Sequence, residues 1–249
     1  MKTLRLTRRA WLVSMALCAL CSVCPAQDKA PSAGVPEARH DQEWWMKLHQ
    51  SFLDRAKKKD VDVLFLGDSI TQGWGDNATW KRHYAPRSAA NFGIGGDRTQ
   101  HVLWRLEHGE IEGINPRVAV LMIGTNNIGA NSPAEIAEGV KLIVAKLREK
   151  LPMTKILVLG VFPRGKMITR DYIQAHDDAP VDPRTREINA SLAKLDDGKM
   201  VKYLDIEKSF LKADGAIPKA LMPDFLHLSD SGYRTWADAI EPTLWELMQ

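Results

Sequence analysis

The sequence predicts an α/β protein, a three-layer α/β/α sandwich around a five-stranded parallel sheet. Short apolar runs at 61–66, 89–92, 118–123, 156–159 and 201–204 alternate with segments of helical period. Four of these five runs are rich in Val, Ile and Leu with little polar alternation, as strands covered on both faces require. Polar and glycine-rich motifs stand directly after several of them, at the carboxyl ends where parallel sheets collect their active groups.

Residues 1–26 read as an export signal ahead of this fold. Lys2, Arg5, Arg8 and Arg9 precede an apolar run from Ala10 to Cys24, and Cys24-Pro25-Ala26 sets small residues before a cleavage at Gln27. A run of 15 residues is short of the about 20 that a membrane span needs, so no stable membrane insertion is expected after cleavage. An uncleaved anchor is the alternative. Thr7-Arg8-Arg9-Ala10-Trp11-Leu12 resembles a twin-arginine signal, and two adjacent Arg in a general secretory leader read equally well. Either route predicts a periplasmic or extracellular protein. Cys18, Cys21 and Cys24 all lie in this leader, without the preceding small residues of a lipoprotein signal. A chain cut there has no cysteine, which excludes disulfides, a thiolate nucleophile and a Cys-based zinc site. The net charge of +3 also belongs to the leader: without its four bases, 30 basic residues face 31 acidic ones. That balance gives no reason to expect a nucleic-acid partner.

Residues 27–40, with Pro31, Gly34 and Pro36, read as a flexible linker, and 41–249 as one domain with a single large core. Asp41 is placed to cap a helix whose apolar positions Trp45, Leu48, Phe52 and Ala56 recur every three or four residues. The segment from Thr99 to about Gly109 carries Val102, Leu103 and Leu106 on one side. Ser132-Pro133-Ala134-Glu135 is a capping box with proline at the first helical position, and it opens a helix with Ile136, Val140, Ile143, Val144 and Leu147 inward. Asp182-Pro183 starts another helix, and Ser229 or Asp230 the last, which Pro242 is expected to kink or restart.

Four motifs fall on this frame. The first run ends in Leu66-Gly67-Asp68-Ser69-Ile70, placing a serine just past a buried strand; the Gly-x-Ser-x-Gly of the α/β-hydrolase elbow is missing. Asn91-Phe92-Gly93-Ile94-Gly95-Gly96-Asp97 follows the second run, Gly124-Thr125-Asn126-Asn127 the third, and Asp224-Phe225-Leu226-His227 precedes the final helix. A serine hydroxyl is a poor nucleophile until an imidazole takes its proton, and Asp224 stands three residues before His227, within reach of its ring. His40, His49, His83, His101, His108 and His176 have no such context and are expected to cap or pack.

These four blocks, in this order, resemble the SGNH hydrolases, also called the GDSL esterase/lipase family. The stretch 91–106 (NFGIGGDRTQHVLWRL), the run from Val158 (VLGVFPRG) and Asp224 to Tyr233 are most similar to the branch of platelet-activating-factor acetylhydrolase catalytic subunits. The resemblance implies a serine esterase working through an acyl-enzyme, with Ser69 as nucleophile, His227 as general base and then acid, and Asp224 as its orienter. It implies an oxyanion hole built from the Ser69 and Gly96 N–H groups and the Asn126 side chain, with Gly95 as the alternative glycine. It implies no cofactor and no metal, a homodimer as one assembly, and acetyl rather than long acyl groups. With an exported chain, an O-acetylated glycan becomes the expected substrate; lysophospholipase or thioesterase activity is the alternative.

Two departures from the family pattern stand out. Asn127 occupies a position where most members carry Asp, a feature the acetylhydrolase branch shares. Lys166–Asp182 is longer than in that branch and includes Arg170, Tyr172 and His176-Asp177-Asp178, either bordering the cleft or forming a solvated excursion. Trp74 and Trp80 are expected in the core, with a sugar-stacking role as the alternative; Phe225 and Leu226 are candidates to line an acyl site. A nucleotide-binding rival rests on Gly73-Trp74-Gly75-Asp76-Asn77-Ala78, but this glycine motif comes too late after the first run. A non-catalytic carbohydrate-binding descendant of the fold is the other rival, opposed by competent residues at every catalytic and oxyanion position.

Overall fold

The computed structural model describes residues 32–166 and 168–249, so the leader read at 1–26 lies outside it. The predicted architecture is present. Five parallel strands, β1 (Val63–Gly67), β2 (Ala89–Gly93), β3 (Val118–Met122), β4 (Lys155–Leu159) and β6 (Val201–Leu204), lie in the order β2-β1-β3-β4-β6. The order reverses beside β1, whose carboxyl end therefore opens on the crevice where such sheets place their ligands.

Strand alternation explains the three layers. Leu64 and Leu66 of β1, Ala119 and Leu121 of β3, and Ile156 and Val158 of β4 enter one core; Val63, Phe65, Val120, Met122, Leu157 and Leu159 enter the other. The first core is covered by α1 (Glu43–Ala56), α4 (Thr99–Glu107), α5 (Pro133–Lys150) and α7 (Arg184–Leu192). The second is covered by the short α2 (Ser69–Gln72), by α3 (Ala78–His83) and by α8 (Asp230–Met248). Both faces of the central strands thus leave water, and each large apolar side chain buried contributes roughly 1.5–3 kcal/mol. β6 is an edge strand and is only partly buried.

The capping box at the start of α5 forms as read: the Ser132 hydroxyl accepts from the Glu135 N–H, and the Glu135 carboxylate accepts from the Ser132 N–H. α1 begins one residue later than expected, with Gln42 rather than Asp41 at its N-cap. α8 does not restart at Pro242; it runs through as one helix of 19 residues. Its inward positions Tyr233, Trp236, Ala237, Ile240 and Leu244 dock on the second core on both sides of the proline, and this packing outweighs the lost backbone bond.

The segment 27–40, expected as a flexible linker, is fastened over its described part. Ala33 is fully buried, and its carbonyl accepts from Thr99 Oγ1 at 2.7 Å. Glu37 N–H donates to the Gln100 carbonyl at 3.1 Å, and Arg39 reaches the loop after β2. Proline and glycine shape this turn without freeing it, because it lies on the N-terminus of α4 and its hydrogen bonds go to the domain. The excursion after β4 is likewise tied down. It carries α6 (Arg170–Ala175) and the two-residue strand β5 (Asp178–Ala179), which pairs antiparallel with β7 (Ile217–Pro218). Ile168, Tyr172 and Ile173 pack against the second core.

Candidate active site

Ser69 is the first residue of α2, and the buried Asp68 before it caps that helix, accepting from the Ile70 N–H at 3.0 Å. The strand-to-helix turn is tight because β2 runs close beside it. A Cβ on Gly93 would stand 2.3 Å from the Gln72 nitrogen, so the second block needs glycine there. Ser69 Oγ and His227 Nε2 lie 2.9 Å apart, and His227 Nδ1 lies 2.7 Å from Asp224 Oδ2. The other Asp224 oxygen accepts from the N–H groups of Leu226 and His227 at 3.0 and 2.7 Å. The carboxylate therefore stays fixed by backbone while it holds the ring.

The turn that brings Asp224 and His227 to the same side is left-handed at Phe225, φ 59°. Such a backbone costs on the order of 1 kcal/mol for a bulky residue and must be held from outside. Here the Phe225 ring is fully buried in the second core, and its carbonyl accepts from the Gly165 N–H at 2.8 Å. Tyr172 meets the same ring edge-on at 6.0 Å, so the excursion after β4 abuts the loop that carries Asp224 and His227.

Gly96 has φ +74°, a conformation that favours glycine. The neighbouring Gly95 N–H is occupied, donating to Gln72 Oε1 at 2.8 Å. Of the two glycines, Gly95 therefore has its N–H already engaged. Asn126, in a short 3-10 turn after β3, donates one Nδ2 hydrogen to the Asp97 carbonyl at 2.9 Å and keeps a second. The Asn127 side chain turns away from this site. Its Oδ1 accepts from the Thr99 N–H, and its Nδ2 donates to Gln100 Oε1 and Asn131 Oδ1. The departure at 127 is thus an anchor for the start of α4.

The electrostatics suit proton transfer. The hydrogen bond to Asp224 raises His227 above the ordinary imidazole value, against burial and with help from the Asp224 and Asp68 charges. Burial alone would raise Asp224, but its hydrogen bonds from His227 and Leu226 hold it below the usual carboxylate value. Burial pushes Asp68 up to about 7, with the nearby Asp97 adding to the effect against the Ile70 N–H. A carboxyl that titrates near neutrality thus sits one residue from Ser69.

Beneath the Gly95–Asp97 turn lies a buried ionic cluster that the motifs did not reveal. Asp97 accepts from Trp45 Nε1 at 2.7 Å and from Arg105 Nε at 2.9 Å. Arg105 Nη1 meets Glu110 at 2.5 Å and the Phe92 carbonyl at 3.1 Å, and Glu110 meets His49 Nδ1 at 2.8 Å. The available signal was Arg105 itself, a charge beside Leu106 on the inward face of α4, which requires a buried partner.

The remaining candidates separate from the site. Trp74 is fully buried among Tyr84, Tyr233 and Trp236, and Trp80 packs beside it. Gly73 closes α2 rather than opening a helix after a strand, and a Cβ there would strike Tyr233 Oη at 2.0 Å, so the nucleotide motif is a packing feature. His176 stacks on Tyr172 at 3.9 Å and Asp178 pairs with Lys212. Among the described residues no group of three or more His, Cys, Asp or Glu side chains is gathered as a metal site.

The profile of the GDSL-like Lipase/Acylhydrolase family matches residues 65–235. Platelet-activating factor acetylhydrolase IB subunit alpha2 of Rattus norvegicus is 37% identical over 231 residues, covering 90% of this chain and 95% of that protein. The alpha1 subunit of Homo sapiens is 38% identical over 205 residues, covering 82% and 84%. The fold is shared with a GDSL-like lipase from Bacteroides thetaiotaomicron VPI-5482, with TM-score 0.61 at 15% identity over 80% of this chain and 97% of that one. By the span of the matched profile and its identity to the acetylhydrolase subunits, this chain belongs to the GDSL-like lipase/acylhydrolase family of ester-hydrolysing serine enzymes.

Proposed function

We propose that this chain is an exported esterase that removes acetyl and other short acyl groups through an acyl-enzyme, with O-acetylated glycans as its substrate class. The observation that carries the catalytic part is the relay from Ser69 Oγ through His227 to Asp224, at 2.9 and 2.7 Å. The names of the acetylhydrolase relatives support a small acyl group. The leader at 1–26 supports export, and an exported esterase meets glycans.

In this reading neutral His227 takes the Ser69 proton as Oγ attacks the ester carbonyl. Asp224 holds the ring with Nδ1–H toward itself and stabilises the imidazolium that forms. The carbonyl oxygen becomes an oxyanion facing the Ser69 and Gly96 N–H groups and the second Asn126 hydrogen. His227 then gives its proton to the departing alcohol, leaving acyl-Ser69. Water, deprotonated by the same imidazole, attacks that ester; the carboxylic acid leaves and Oγ regains its proton.

The test is hydrolysis of p-nitrophenyl acetate, butyrate and octanoate by the chain beginning at Gln27, beside Ser69→Ala. Acetate should be the best substrate, and the substitution should lower turnover by roughly 10⁴-fold or more. Acetate release from acetylated xylan, likewise dependent on Ser69, would establish the glycan part. Preference for octanoate would replace it with a lipase reading, and no Ser69-dependent turnover on any ester would refute the esterase reading.

A further inference from the structure

We propose that Arg39, on the segment that precedes the family's four blocks, is a positioning residue that locks the oxyanion donor of Gly96 by holding the opposite end of its peptide unit. The inference rests on the esterase reading above. The Gly95 carbonyl and the Gly96 N–H belong to one planar trans peptide, so they point in opposite directions. Arg39 Nη1 donates to the Gly95 carbonyl at 2.8 Å. Whatever fixes that oxygen therefore fixes the direction of the Gly96 hydrogen.

The peptide needs such a hold. It is flanked by two glycines, whose backbones rotate with little steric resistance, and Gly96 already stands at φ +74°. The other side-chain bonds to this loop act on different units: Gln72 on the Gly95 N–H, Asn126 on the Asp97 carbonyl, and Trp45 and Arg105 on the Asp97 side chain. The Asp97 N–H donates to the Ile94 carbonyl at 3.1 Å and closes a turn around the 95–96 unit, but that closure forms with the central peptide in either orientation. None of them restrains rotation of the 95–96 peptide directly.

Arg39 is itself held for the task. Nη1 also reaches Asp97 Oδ1 at 3.3 Å, and Nη2 donates to Gln42 Oε1 at 2.5 Å. The guanidinium lies over the Trp44 ring at 4.9 Å from its centroid, and its Nη atoms stand 3.4 Å from where a Gly96 Cβ would be. It thus covers the outer side of the turn. A cationic donor on a carbonyl also polarises the peptide and strengthens its N–H as a donor at the other end.

The experiment compares wild type, Arg39→Ala and Arg39→Lys in the chain from Gln27. The readouts are kcat and KM for p-nitrophenyl acetate, inhibition by an aryl trifluoromethyl ketone, whose serine adduct carries an oxyanion, and thermal midpoint. Arg39→Ala should lose about a hundredfold in kcat, the scale of one oxyanion donor, with KM within about twofold. Ketone affinity should fall in parallel, and Arg39→Lys, which keeps a cationic donor, should recover part of both. A lower thermal midpoint with unchanged kcat per titrated serine, or a loss confined to KM, would overturn the proposal. A crystal structure of Arg39→Ala tests the lock without recourse to turnover: a rotated or disordered 95–96 peptide supports it, and an unmoved, ordered one refutes it. If the wild type shows no Ser69-dependent turnover, the esterase reading fails while this structural comparison still decides the lock.

Discussion

Asp224 and His227 show how one side chain sets the working range of another. His227 can accept the Ser69 proton only when neutral, and the bond from Asp224 lifts its titration above the ordinary imidazole value. The rate of the native protein should therefore rise with pH along an acid limb displaced upward. In Asp224→Asn the hydrogen bond and charge of Asp224 are lost and only the Asp68 charge still raises the ring, so that limb should move to lower pH. The rate should also fall about 10⁴-fold, because the amide favours the wrong tautomer. A pH–rate profile of kcat/KM checks both, and an unmoved limb would mean that His227 is not the titrating base. These two residues, with Ser69, were readable from their blocks. Arg39 was not, because its role lies in a main-chain carbonyl that no side-chain pattern advertises. Gln72 escaped for the same reason, its amide serving the Gly95 N–H.

At the scale of elements, α1, α4 and the loop after α4 are joined by charges rather than by apolar packing alone. Arg105 is fully buried between Asp97 and Glu110, so Arg105→Leu should strand two carboxylates away from water. The expected loss is about 3–5 kcal/mol in urea unfolding, and a loss below about 1 kcal/mol would mean that both carboxylates find other partners. His101 adds a pH dependence to the same region. Its Nδ1 accepts from the Arg98 N–H at 3.0 Å, and burial, with Arg39, Arg98 and Arg105 nearby, lowers its titration from 6.5 to about 3. Asp97, 3.7 Å away, is the facing anion. Between those two values the unfolded chain binds a proton that the folded chain does not, so stability must fall as pH drops through that window. His101→Gln, whose amide oxygen can still accept from Arg98, should lose less stability than wild type between pH 7 and pH 4.5. Equal losses in thermal midpoint would discount His101. The strands and the capping box of α5 were legible because apolar period and cap chemistry are local. The fastening of 33–40 was not, since its partners Gln100, Thr99 and Gly95 are some sixty residues away.

For the whole molecule, the segment 33–45 belongs to the working domain although it precedes the first strand. Cleavage before Gln27 would leave it complete, including Arg39 and Trp45. Expression in a bacterial host should yield a periplasmic or secreted form whose N-terminal sequence begins at Gln27. Recovery of Met1 in the membrane fraction would show an uncleaved anchor instead. The distance along the chain between Ser69 and His227, 158 positions, has a further consequence for biosynthesis. A ribosome has finished strands β1 to β7 before the base emerges, so every product terminated before that point carries a serine with no proton acceptor. On the proposed mechanism, ester turnover then reports only chains that extend past His227 and have docked it on Ser69, and is silent for such fragments. That makes it a direct gauge of how much synthesised protein has matured.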